Sequence, residues 1–151
     1  MSTLTEVNLR EHTVAVIAAL KTVTGLPVGD GEAPEEGAYQ NGWGKGSFIP
    51  YLVVVRDDTK YSGPISDPQA DATLMYRVLA VGKTRGQAEW ASDKGRAGFN
   101  RNAIRDQGIP GRVVMGTVFT GTGGADADRG VHPPLWYVKD TYTLMTTPGA
   151  G

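Results

Sequence analysis

The side chains in this sequence best suited to chemistry are two short acidic runs, Asp57-Asp58 and Asp126-Ala127-Asp128, and two histidines, His12 and His132. A hard cation such as calcium needs several oxygen ligands from one adaptable loop. The 126–128 segment has flanking glycines but no downstream bidentate glutamate at the EF-hand spacing, so it reads as a solvated turn and no metal is expected. His132, next to Pro133-Pro134, would serve as a general base only if a second group set a nucleophile or water against it. His12 falls on a polar turn of a predicted helix and is expected at the surface. Gly42-Trp43-Gly44-Lys45-Gly46-Ser47 is the nearest approach to a phosphate loop. It lacks the Walker spacing and runs into a strand, so no helix N-terminus would meet a phosphate.

Composition narrows the choice further. The chain has 151 residues, 40% hydrophobic and 21% charged, with a formal net charge of -1, which argues against a disordered polyelectrolyte and against nucleic-acid binding driven by net charge. Cysteine is absent, which removes disulfides, thiolate metal sites and thiol nucleophiles. No cofactor and no catalytic residue is expected. The opening MSTLTEVNLREHTV lacks a basic run followed by an apolar core, and no apolar run approaches a membrane span. The expectation is a soluble protein made in a cytoplasm, with no membrane contact. Glycine is the unusual count, at 21, concentrated in residues 25–46 and 121–130.

The elements that must position these side chains follow from periodicity and caps. A helix is predicted over 9–23, with Asn8 as cap, Glu11 reaching back, a stripe of Thr13, Val16, Ile17 and Leu20, and Gly25 as the left-handed stop. Leu26-Pro27-Val28 offers a short strand. Strands are predicted over 48–57 and 72–82, both covered on two sides and joined by a long hairpin connection, and over 112–121 and 135–148. In the last of these, Trp136, Val138, Tyr142 and Leu144 share a face with Asp140 as the exception. A second helix opens with the capping box Thr84-x-x-Gln87 and continues through 104. Its stripe of Ala88, Ala91, Gly95 and Gly98 implies close approach to a sheet or another chain, because each helical glycine costs about 1 kcal/mol relative to alanine. The expected fold is a single α+β domain over 1–151, with helices on one face of a largely antiparallel sheet of about four or more strands. The expected order is α-β-β-α-β-β, with long loops near 29–47 and 121–134.

Charge is uneven along the chain. Residues 82–112 hold seven basic and three acidic side chains, whereas residues 1–46 hold six acidic and three basic ones. Arg85, Arg96, Arg101 and Arg105 are therefore candidate contacts to an acidic partner or to another copy of the chain, set against an ordinary solvated helix face with pairs such as Arg85–Glu89. Trp43, Tyr39 and Tyr61 fall in predicted loops, and aromatic residues are enriched at interfaces. Trp43 and Tyr61 join the candidate partner contacts, while Trp90 is assigned to packing.

In the order of its elements the chain resembles the tail-terminator proteins of long-tailed bacteriophages, especially those infecting actinobacteria. The likeness runs almost the full length. It is carried by the opening helix leading into Leu26-Pro27-Val28, the strand FIPYLVVV, the passage YRVLAVGKTRGQAEWASDKGR, the GRVVMG strand and the closing LWYVKDTYTLMTTP. It implies a structural protein of the virion, not an enzyme, found at the head-proximal end of the tail and assembled in the host cytoplasm. The implied partners are other copies in a homo-oligomeric ring, usually of six, the tail tube protein and the head–tail connector proteins. DNA would pass through the ring without sequence-specific binding. Another connector, tail-completion or tail tube protein is the nearest alternative, and a small enzyme or ligand-binding domain using the 126–132 loop is the alternative of a different class.

Overall fold

The computed structural model describes residues 8–34, 50–63, 65–66, 70–128, 130 and 135–149. Chain order is α1 (Leu9–Thr24), β1 (Val28–Asp30), β2 (Tyr51–Ser62), β3 (Asp71–Gly82), α2 (Arg85–Gly98), α3 (Arg101–Gln107), β4 (Arg112–Thr122), β5 (Asp126–Asp128) and β6 (Leu135–Pro148). The class is α+β, with three helices and a six-stranded sheet among the described residues. The order is α-β-β-β-α-α-β-β-β and not α-β-β-α-β-β, and two strand pairings and one helix cap account for the differences. Val28–Asp30 pairs in parallel with β2, and Asp126–Asp128, expected in a loop, pairs with the start of β6. Asn100 divides the second helix: its side-chain oxygen accepts from the Ala103 amide at 2.8 Å while its amide group donates to the Ala97 carbonyl at 2.6 Å. An asparagine that satisfies a free helix-start amide in this way favours a new helix over continuation.

The predicted caps are present, except that among the described residues no hydrogen bond joins the Glu11 side chain to the Asn8 amide. Asn8 accepts from the Glu11 amide at 3.1 Å, and Gly25 closes α1 at φ 70°. Thr84 accepts from the Gln87 amide at 3.1 Å, and the Gln87 side chain reaches back to the Lys83 amide at 2.7 Å.

The strands lie in the order β1-β2-β3-β6-β4, antiparallel except for β1 against β2, with β5 beside β6. Cross-strand partners such as Leu74 with Leu144, Tyr76 with Tyr142 and Ala80 with Val138 put the largest buried side chains on one face. All three helices cover that face. Leu20 of α1, Ala88 and Ala91 of α2 and Ile104 of α3 are fully buried in the same cluster as Leu52, Leu74 and Leu144. Two-sided cover holds only for the first four residues of β2 and the last three of β3; before that end β3 alternates between buried and half-buried positions, as expected of a sheet with one packed face. A smaller cluster of Tyr51, Val53, Val81 and Leu135 occupies the opposite, outer face.

The glycine stripe has the close approach that it predicted. A Cβ at Gly98 would lie 3.0 Å from Leu20 Cδ2 and 3.3 Å from Leu20 Cα, so α1 and α2 touch there almost backbone to backbone. Gly95 instead faces Leu52 of β2. None of the helices of the described residues is long and apolar enough to cross a membrane.

Candidate functional site

The basic residues singled out by sequence converge only in part. Arg96, in the last turn of α2, forms an ion pair with Asp93 and places its guanidinium 5.5 Å from the centre of the Phe119 ring on β4. Arg101 and Arg105 are exposed on α3, which packs against β4, and Arg105 donates to Asn102 at 3.0 Å. Arg85 lies at the opposite end of α2, over the Trp136 ring at 4.8 Å. Arg96, Arg101 and Arg105 therefore belong to the β4 side of the molecule, and Arg85 to the end where β6 begins.

Tyr61 falls at the end of β2, paired with Ala72 and 44% exposed, not in a loop. Trp90 departs from its packing role: it is 47% exposed, with the Lys94 ammonium 5.4 Å from the ring centre. Trp43, Tyr39 and His132 lie outside the described residues.

Sequence reasoning found the strand over 112–121 but missed its place at the edge of the sheet and the apolar strip that it exposes. Among the described residues this strand forms one edge of the sheet, and Val113, Met115, Val118 and Phe119 are each exposed by 44–56%. Its one charged residue, Arg112, turns inward and donates to the Thr146 carbonyl at 3.1 Å and to its hydroxyl at 3.2 Å. Natural sheet edges usually carry charge, proline or a bulge that discourages pairing. Here the protection is limited to irregularities between Val114 and Gly116 and between Phe119 and Gly121. The available signal was the run VVMGTVFTGT, ten residues without a charge.

Of the acidic candidates, Asp57 serves the fold. Asp57 accepts two hydrogen bonds from Arg77 Nε, at 2.8 and 3.0 Å, across the β2–β3 ladder. Asp140, the exception on the packed face of β6, is buried and accepts from Ser92 Oγ of α2 at 2.6 Å, while the Thr122 hydroxyl of β4 donates to its other oxygen. That carboxylate ties α2, β4 and β6 together. Asp126 and Asp128 are exposed on β5, with Asp128 accepting from the Gly130 amide at 3.0 Å.

His12 is fully buried, contrary to the expectation of a surface position. Its ring nitrogens lie 2.7 Å from the Asn8 carbonyl and 2.9 Å from the Thr146 hydroxyl, so the imidazole joins the α1 cap to β6. The polar residues around it in sequence conceal that it lies on the stripe that meets the sheet. Burial holds its pKa below the ordinary value; the bond to the Asn8 carbonyl opposes that shift and the neighbouring Arg112 adds to it. Two tyrosines complete the buried polar set. Tyr76 shares a hydrogen bond with the Thr13 hydroxyl at 3.2 Å, and burial pushes its pKa up to about 12. Tyr142 stacks on Phe99 at 4.3 Å, and among the described residues its buried hydroxyl has no partner.

No protein-family model matches the chain, and no curated protein matches it either.

Proposed function

We propose that this protein is a structural assembly component, a phage tail terminator whose copies form a ring, six by resemblance, at the head-proximal end of the tail tube. In that role it caps the finished tube, stops its polymerisation and offers the surface on which connector proteins of the filled head dock. DNA passes through the ring unread. The observation that carries an assembly role is β4, an edge strand with four large apolar side chains half in water and no charge facing out. A long apolar edge left open invites association, so it suits a strand that another protein covers. The basic side chains of α2 and α3 beside it would add steering and register to such a contact.

Negative-stain images and solution mass of the purified protein over a range of concentrations, with and without tail tube protein, test the reading. Closed rings and arrest of tube growth are expected. A chain that stays monomeric and leaves tube growth unaltered refutes the proposal. A chain that stacks without limit is a tube protein, the nearest alternative.

A further inference from the structure

We infer that copies of this chain join head to tail, the apolar edge strand β4 of one copy seating in an acid-rimmed cleft on the outer sheet face of the next. The inference deepens the assembly reading above and rests on it for its biological setting. Its physical basis is a pair of surfaces that match in polarity and in charge.

The cleft has a volume of about 300 Å³. Its floor is apolar, formed by Val53, Leu79, Val81, Leu135 and Tyr137, where the starts of β2 and β6 meet the end of β3. Glu32 and Asp128 stand exposed at its rim. The complementary surface is the β4 edge. Val113 and Val118 pair with the outer-face residues Thr147 and Thr143, whereas Phe119 pairs with Tyr142 and lies toward the helices, under Arg96. Apolar side chains thus flank this edge on both faces, and the cations of Arg96, Arg101 and Arg105 lie on its helical side. An apolar strip with basic neighbours suits an apolar floor with acidic neighbours, and the like-charge alternative of β4 against β4 would bring the arginines together. The two interruptions in the β4 ladder also disfavour continuous strand-to-strand addition and leave side-chain insertion as the mode of contact.

The strip of one copy cannot reach the cleft of the same copy. The strip pairs with residues 142–147 of β6 and the cleft uses residues 135–137 of that strand, so at least five residues, roughly 17 Å of strand, separate them. Occupation from within would require β4 to leave the sheet. Because the two patches are different surfaces, the contact is heterologous, and repetition generates a ring when the rotation closes or a filament when it does not.

The test uses the full chain and two double variants at exposed positions, Met115→Asp with Val118→Asp in the strip and Glu32→Lys with Asp128→Lys at the rim. Circular dichroism and thermal melting check that each variant folds, and sedimentation velocity over a concentration series measures association. Each variant alone should bind itself at least about tenfold more weakly than the wild type, which corresponds to about 1.4 kcal/mol. Mixed in equal amounts, the two should form a dimer and stop, because one intact strip and one intact cleft remain. Rim-variant assembly equal to wild type would overturn the inference in favour of strip-to-strip contact. A mixture that yields no dimer, or a wild type that is monomeric at every concentration, would also overturn it. Head-to-tail association without arrest of tube growth would preserve this interface and remove the terminator assignment.

Discussion

Two alanine substitutions three residues apart, about 4.5 Å along the helix, but opposite in expected sign, probe how α2 is held. At Gly95 an added Cβ lies 3.7 Å from both Leu52 methyl carbons, an ordinary contact distance. Gly95→Ala removes a helical glycine, worth about 0.8–1 kcal/mol, and buries one methyl in an existing gap. A net gain of about 1 kcal/mol is expected. At Gly98 the same carbon meets Leu20 Cδ2 at 3.0 Å, Leu20 Cα at 3.3 Å and Thr24 Cγ2 at 3.4 Å. The leucine methyl can rotate away, but its Cα moves only with α1. Overpacking of that kind costs about 1–3 kcal/mol, against a propensity gain reduced at the last residue of a helix. Gly98→Ala should therefore lose about 1 kcal/mol. For a chain of this size each kcal/mol shifts Tm by about 2–4 °C, so thermal melting should separate the two variants by about 6 °C. Urea titration at unchanged slope would confirm that native stability alone has changed. Equal stabilisation at both positions would refute the close contact of α1 with α2.

Two further predictions concern the buried polar groups. His12 has its pKa lowered on folding, so its contribution is fully present above the ordinary value near 6.5 and is lost as pH falls toward the depressed folded pKa. Stability should decline over that interval by at most about 1.4 kcal/mol per pH unit from this group, and His12→Gln should flatten the decline in denaturation curves; an unchanged slope would acquit His12. Tyr142→Phe removes a buried hydroxyl that lacks a partner among the described residues, so it should be neutral or stabilising by up to about 1 kcal/mol. Tyr76→Phe leaves Thr13 without its tyrosine partner and should cost about 0.5–1.5 kcal/mol; equal effects in chemical denaturation would contradict this distinction.

Much of the fold was legible locally. Asn8, Gly25 and the Thr84–Gln87 box act within four residues of themselves, and each forms the contact that its spacing predicts. The last strand, Leu135–Pro148, matches its predicted limits because period-two burial persists along it. The long helix over 84–104 failed at Asn100, since composition continues across a residue whose side chain can equally well serve as a cap. The strand predicted to end at Asp57 continues to Ser62, because the ladder to β3 and the Asp57–Arg77 contact outweigh the low strand propensity of the two aspartates.

The candidate contact surface was less legible. Sequence could identify Arg96, Arg101 and Arg105 as a basic group, because charge is a property of residues and of their density along the chain. Position in the sheet is different in kind: β4 and β6 follow similar patterns, yet β6 lies between two strands and β4 has one neighbour. The same pairing decides that Val118 and Phe119 meet water while Leu144 and Tyr142 are enclosed. His12 shows the converse, a polar residue among polar neighbours drawn inward because helix rotation faces it toward Thr146 of a strand 134 residues away in sequence. Sequence by itself determined the caps, the strand periods, the glycine stripe and the absence of cysteine chemistry, all of which depend on residue type and short-range spacing. Tertiary structure alone decided which strand became an edge, that His12 was buried and where the apolar cleft lies, because those depend on contacts between segments far apart in the chain.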